Sequence, residues 1–151
     1  MISKLDNSKQ TVANTIYEIF QNAYKAEAEL IQAVNFPPLS RTIESIKASE
    51  TDFYCLSVNN SAAAIIEISL HDQLLDINSL TVDPTYFRQG LGNKLLSYIL
   101  DTLQYDKAVV ETAMKNLPAI NLYQQNGFVK FKQWTPEHGI EKLAMSRTKH
   151  L

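Results

Sequence analysis

The stretch Val82-Asp83-Pro84-Thr85-Tyr86-Phe87-Arg88-Gln89-Gly90-Leu91-Gly92 joins two kinds of texture and holds two of the four glycines in the chain. Upstream, Leu74 to Val82 reads as a strand. Downstream, Leu91, Leu95, Leu96, Ile99, Leu100 and Leu103 recur at helical spacing and mark an amphipathic helix. Glycine lets a backbone approach a ligand closely, and the first turn of a helix offers free N–H groups at the positive end of its dipole. Arg88, Gln89, Gly90, Leu91, Gly92 and Asn93 are therefore candidates to hold an anion, with a pyrophosphate as the natural guest. Taken alone, a GxG at such a junction is equally what a plain helix start looks like. Dinucleotide-binding and P-loop readings fare worse, because the chain has neither GxGxxG nor GxxxxGK[ST].

Working towards the N-terminus, Phe53 to Val58 and Ala62 to Leu70 read as a hairpin turning at Asn59-Asn60-Ser61, and Leu74 to Val82 completes an antiparallel meander after the turn at His71-Asp72-Gln73. Before it, Val12, Ile16, Ile19, Phe20, Ala23, Leu30, Ile31 and Val34 form the apolar stripe of an amphipathic helix, or of two helices end to end, from Ser8 to Val34. Glu27 falls on that stripe, either as its solvent edge or as an acid facing a cleft. Phe36-Pro37-Pro38-Leu39 must break the helix, since each proline lacks an N–H and pushes the preceding residue towards extended geometry. It is read as a rigid corner or as one wall of a pocket. Ser40 is expected to cap a short second helix running to about Ala48.

Towards the C-terminus, Lys107 to Thr112 is a short strand, Leu117 to Gln125 a helix capped by Asn116, and Phe128 to Trp134 and Ile140 to Ser146 are two final strands. Trp134 to Ile140 joins them and is read first as an exposed turn, with the border of an acceptor site or the seam of a homodimer as other readings. Helices, meander, then strand–helix–strand–helix–strand–strand predict an α/β (α+β) chain, with a mixed, mostly antiparallel central sheet flanked by helices.

Composition narrows the function classes. At 151 residues the chain is expected to form a single domain over 1–151. With 45% hydrophobic and 20% charged residues, disordered and fibrous readings fail. A formal net charge of −2, with the 14 Lys and Arg spread along the chain, disfavours nucleic acid as a partner. One cysteine and three scattered histidines make no zinc cluster, so no metal is expected. No run approaches the roughly 20 apolar residues that span a bilayer, so no membrane partner is expected and the default setting is the cytoplasm.

The second informative segment is Asn116-Leu117-Pro118-Ala119-Ile120-Asn121-Leu122-Tyr123-Gln124-Gln125-Asn126-Gly127-Phe128, which puts Asn116 and Tyr123 on one helix face before Gly127 ends the helix. Each feature alone has a plain structural reading: an N-cap, a half-buried core tyrosine, an ordinary helix exit. In this order with the first segment, however, Val82, Pro84, Gly90 and Gly92, then Asn116, Ala119, Leu122, Tyr123, Gly127 and Phe128, the chain resembles the GNAT superfamily of acyl-CoA-dependent N-acyltransferases. The likeness runs from about Phe53 to Met145, with Ile2 to Leu5 as the family's first strand. One position departs from the pattern. Where the family carries Arg or Gln three residues before the first motif glycine, this chain has Phe87, with Arg88 next to it as a substitute charge.

The resemblance implies acetyl transfer from acetyl-CoA to a primary amine of a small molecule or peptide, by direct attack in a ternary complex. It implies that the strand at Leu80 and Val82 pairs with the pantetheine arm while a main-chain N–H polarises the thioester carbonyl, and that Asn116 also binds pantetheine. Tyr123 would protonate the departing thiolate. An ammonium of pKa about 10 must first lose a proton. Asp76 is the expected base, through water, because alternation puts Asp76, Asn78, Leu80 and Val82 on one face; Glu27 and Glu111 are in reserve. Tyr24, Glu27, Phe36 and Glu111 would suit a small cationic or aromatic amine. Cys55 is read as core. The alternatives are an acyl-CoA-binding regulatory module without useful turnover, and an adaptor that uses its N-terminal stripe and has no CoA affinity.

Overall fold

Seven strands, β1 (Ile2–Leu5), β2 (Asp52–Val58), β3 (Ser61–His71), β4 (Leu74–Val82), β5 (Lys107–Ala113), β6 (Val129–Trp134) and β7 (Lys142–Thr148), form one sheet in the order β1-β2-β3-β4-β5-β7-β6. In this computed structural model the described residues are 1–149. All neighbouring strands are antiparallel except β4 and β5, which run parallel. The connection between those two carries helix α3 (Leu91–Thr102), as a parallel crossover requires. The expected mixed, mostly antiparallel sheet with flanking helices is what the chain forms.

Helices cover the two faces unequally. Helices α1 (Gln10–Ile31) and α2 (Ile43–Ala48) pack Ala13, Ile16, Ile19, Phe20 and Ile46 onto Phe53, Cys55 and Ile65. The other face carries the larger core, where Leu95, Leu96, Ile99 and Leu100 of α3 and Tyr123 of α4 (Leu117–Gln125) meet Ile66, Ile68, Leu75, Ile77, Leu143 and Met145. Cys55 lies in the smaller core, as expected. No helix among the described residues is long and apolar enough to cross a membrane.

Two local features place the site. The first is a bulge in β4: Glu67 pairs with Ser79 but Ile68 pairs with Ile77, so Asn78 is an extra residue on its strand. An extra residue inverts the alternation beyond it. Leu75 and Ile77 before the bulge, and Leu80 and Val82 after it, therefore all face the larger core, whereas Asp76, Ser79 and Thr81 face the other way. The expectation that Asp76, Leu80 and Val82 share one face is thus corrected.

The second feature is a parting of strands. Strand β4 pairs with β5 only from Leu74 to Ile77, against Lys107 to Val110. Beyond that point the β5-facing edge of β4 has no partner strand among the described residues, and a gap opens at the middle of the sheet.

Smaller differences have simple causes. Ser40 does not cap α2; it closes a 3-10 turn at Pro37–Ser40, and Thr42 is the cap, its hydroxyl accepting the Ser45 N–H at 3.1 Å. Two consecutive prolines favour the tight turn, which moves the helix start two residues on. Strand β7 begins at Lys142 rather than Ile140, leaving Ile140 in the preceding loop.

Candidate active site

The anion-binding candidates are built as a loop between a 3-10 turn at Pro84–Tyr86 and the start of α3. Asp83 anchors the loop: its carboxylate accepts the Thr85 N–H at 3.0 Å and the Asn22 side-chain amide of α1 at 3.3 Å. Gly90 is the N-cap of α3 with φ +71°, and Arg88 also has positive φ, +65°. Left-handed residues in such a turn aim successive N–H groups into a concavity suited to an anion. Among the described residues, none of the N–H groups of Arg88, Gln89 or Gly90 donates to another backbone carbonyl. The first N–H groups of α3, from Leu91, Gly92 and Asn93, lack intrahelical partners by geometry.

The side chains here have separate tasks. Leu91 is buried in the larger core, and Asn93 Oδ1 accepts the Asn126 amide at 2.9 Å, tying α3 to the end of α4. Phe87 and Arg88 are exposed, so the side chain at the position where this chain departs from the family pattern is not part of the packed loop. An added Cβ on Gly92 would touch Leu122 and Val82 at 3.6 Å, an ordinary contact. The bound group that fits this cradle is an anion approached by main-chain donors, and a pyrophosphate satisfies that requirement.

From the loop, Val82 and Leu80 lead into the gap between β4 and β5, where a cleft of about 600 Å³ opens. Its walls come from α1 (Tyr24, Glu27), the proline turn (Phe36, Pro37, Pro38), the two parted strands, the start and middle of α4 (Asn116, Tyr123) and the β6–β7 loop (His138, Ile140). Seven of the expected residues, Tyr24, Glu27, Phe36, Leu80, Glu111, Asn116 and Tyr123, thus converge from segments far apart in sequence. Tyr24 is braced edge-on by Phe36 at 5.9 Å, and Tyr123 by Phe128 at 5.5 Å.

Electrostatics in the cleft follow from burial. Glu27 has its carboxyl raised above the ordinary range because burial disfavours the charge, although the Asn116 side chain and Lys142 pull it back. The Tyr123 phenol is raised by burial and further by the charges of Glu27 and Tyr24. Burial, opposed by the Ser79 hydroxyl, pushes Tyr24 up to about 12. The two phenols therefore stay protonated at neutral pH, and the carboxyl of Glu27 in the same cleft gains proton affinity from burial. That arrangement suits one group that accepts a proton and one that donates it.

Asn116 is the α4 cap, as expected, and stands at the cleft. Its Oδ1 accepts the Ala119 N–H at 3.2 Å as the α4 cap, and its side chain also lines the cleft. Glu111 lies on the cleft rim, with Lys142 at 3.4 Å. Asp76 is elsewhere. It lines an adjoining depression with Val109, Glu111 and Phe131, opposite the paired part of β5. Burial, then the charge of Glu111, raises its carboxyl. Asp76 sits where β4 still pairs with β5, opposite Val109, whereas Asn78 and Ser79 lie beyond the last paired residue and line the cleft.

Several lining residues carried no local signal. Arg41, Ser79, Thr112 and Lys142 are isolated polar positions in sequence. His138 and Ile140 fall in the Trp134 to Ile140 segment, and they border the cleft rather than only forming an exposed turn.

Comparison with known proteins agrees with this geometry. Residues 13–128 match the family model described as Acetyltransferase (GNAT) family. The chain is 34% identical over 141 residues to UPF0157 protein YqkA of Bacillus subtilis, covering 93% of this chain and 41% of that protein. It is 33% identical over 98 residues to the [ribosomal protein bS18]-alanine N-acetyltransferase of Escherichia coli K12, covering 62% of this chain and 65% of that one. The chain thus spans less than two thirds of either relative. Among solved structures, the ribosomal-protein-S18-alanine N-acetyltransferase from Escherichia coli superposes with a TM-score of 0.76 at 24% identity, over 98% of this chain and 92% of that one. The yncA structure from Salmonella typhimurium with acetyl-CoA gives 0.72 at 18% identity, over 97% and 93%. Both superpositions speak for the fold.

Proposed function

Because the chain belongs to the GNAT family of acetyltransferases, we propose that it moves an acetyl group from acetyl-CoA to the primary amine of a small molecule or peptide. The observation that carries this reading is the meeting of three things at one gap in the sheet: the unpaired edge of β4, the N-terminus of α3, and the Glu27–Tyr123 pair. Acetyl-CoA supplies the activated thioester. The N–H groups from Arg88 to Asn93 hold its pyrophosphate, and the open edge at Leu80 and Val82, with the Asn116 side chain, takes the pantetheine arm.

The protein groups do the proton work. The amine arrives as an ammonium, of pKa about 10 for an alkyl amine and about 8 for a peptide α-amine. Glu27, its affinity for protons raised by burial, accepts that proton directly or through water. A main-chain N–H on the open edge of β4 steadies the charge that develops on the carbonyl oxygen. The Tyr123 phenol then gives its proton to the leaving sulfur, and burial keeps it protonated until that moment. Phe36, Pro37 and Pro38 form the apolar wall against which the acceptor rests. The relative named for alanine of ribosomal protein bS18 makes a peptide amine the first acceptor class to examine. We read the setting as cytoplasmic, consistent with a single buried thiol.

The test is thiol release from acetyl-CoA by purified protein against pooled polyamines, amino acids, aminoglycosides, aryl amines and short peptides with free N-termini. Release above the amine-free background with one pool is expected. No release from any pool, together with a raised melting temperature in acetyl-CoA, would replace this reading with that of an acyl-CoA-binding module.

A further inference from the structure

Glu67 stands in the middle of β3 among Ala63, Ala64, Ile65, Ile66 and Ile68, and is 2% exposed. Its two carboxylate oxygens take four donors. Arg41 Nη1 donates to Oε1 and Arg41 Nη2 to Oε2, the latter at 3.0 Å. The Thr51 hydroxyl donates to Oε2 at 2.7 Å and the Ser79 hydroxyl to Oε1 at 3.3 Å. The guanidinium lies against the Phe20 and Phe53 rings, 5.6 and 5.7 Å from their centroids. No other side chain in the smaller core is arranged around a charge in this way among the described residues.

The positions of these partners give the network its meaning. Arg41 directly follows the Pro37–Ser40 turn, which forms a wall of the cleft, and Thr51 follows α2. Both ends of the segment 41–51 are therefore fastened to one carboxylate on a central strand. Ser79 is the residue after the β4 bulge and lines the same cleft, next to Tyr24. Gln21 adds a tie from α1, its amide donating to the Leu39 carbonyl at 3.1 Å. A buried ion pair is a poor source of net stability, because the desolvation of both charges offsets their attraction. What a bidentate Arg–carboxylate fork supplies is fixed geometry.

We propose that Arg41 and Glu67 are a positioning pair that seats the Phe36-Pro37-Pro38 wall against β4, and so sets the binding of the acceptor amine without taking part in acetyl-CoA binding. This rests on the reading of the cleft as the acceptor site. Neither residue reaches the anion loop: the network touches β3, β4, α2 and the proline turn.

Two variants test it. Arg41→Lys keeps the charge and loses the fork. Arg41→Met combined with Glu67→Gln removes both charges, so no unpaired ion is left buried, and the glutamine oxygen accepts from one of the Thr51 and Ser79 hydroxyls while its amide donates to the other. In both, the acceptor KM is expected to rise about ten- to a hundred-fold, as when a positioning contact shifts by about 1 Å. The acetyl-CoA KM should hold, and kcat should stay within about threefold. Folded variants with an unchanged acceptor KM, or with both KM values rising together, would overturn the proposal.

A wild-type protein that releases no thiol with any amine would instead overturn the transferase reading. Amide exchange then decides the role of the positioning pair separately. Faster exchange over 36–48, with 91–102 unchanged, is the expected result in both variants, and equal exchange in wild type and variants would refute it.

Discussion

The carboxyl of Glu27 on α1 and the phenol of Tyr123 on α4 face a common cleft, where the Glu27 charge adds to burial in holding Tyr123 protonated. Two acids in one low-dielectric space cannot both ionise cheaply, so the group with the lower intrinsic pKa carries the charge and the other keeps its proton. In the proposed mechanism this division of labour makes Glu27 the acceptor and Tyr123 the donor.

Replacing Tyr123 by Phe removes the donor while keeping the ring that packs on Phe128. We expect kcat to fall roughly ten- to a thousand-fold, with acetyl-CoA affinity nearly unchanged. Steady-state kinetics together with a binding isotherm for acetyl-CoA check this. Wild-type turnover would remove Tyr123 from the mechanism.

Glu27→Gln should abolish the acid limb of the pH–rate profile. In the wild type, activity is expected to fall as pH drops through the raised carboxyl pKa of Glu27, a limb set higher than an ordinary carboxylate of about 4.3 would give. Stability moves the opposite way. A carboxyl raised on folding binds more protons in the native state, so its effect is absent below the unfolded value and destabilises as pH climbs through the folded one. The glutamine variant should therefore be the more stable protein at about pH 8 and lose that advantage at about pH 4, as denaturant titrations at both values would show.

Asp76→Asn, by contrast, should leave the pH–rate profile close to that of the wild type, since Asp76 lines the neighbouring depression and not the cleft of Tyr123. A loss of the acid limb in this variant would return the role of base to Asp76.

The two glycines of the anion loop should respond differently to alanine. Gly90 holds φ +71°, and a Cβ there costs about 1–2 kcal/mol of strain although nothing crowds it. Gly92 leaves an ordinary 3.6 Å contact with Leu122 and Val82. Gly90→Ala should thus shrink the rise in melting temperature caused by acetyl-CoA, whereas Gly92→Ala should keep most of it. Equal losses would indicate that a side chain at 92 obstructs the ligand directly.

Legibility in the sequence tracked the range of the interactions. The existence of strands β2 to β4, the stripes of α1 and α3, the proline break and the Asn116 cap rest on contacts within a few residues, and all were readable from spacing. So were Gly90 and Tyr123 as members of motifs whose parts lie close in sequence. The faces of β4 were not: the bulge at Asn78 comes from pairing with β3, and one inserted residue reverses every side chain beyond it. That reversal put Ser79 on the same face as Asp76, and Asp76 stays outside the cleft because it lies in the part of β4 still paired with β5.

Glu27 shows the boundary most plainly. The sequence by itself determined that an acid interrupts an apolar stripe, and left open whether solvent or a cleft received it. Only the packing of α1 against parted strands, with Asn116, Tyr123 and Lys142 arriving from later segments, decided for the cleft. Likewise nothing beside Glu67 in its apolar strand marks the partner of its charge. Arg41 is brought to it by the folding of a segment whose local preferences are turn and short helix. Hydrophobic periodicity records which side of an element is buried, whereas the groups that meet across elements are chosen by tertiary packing, for which local spacing carries no code.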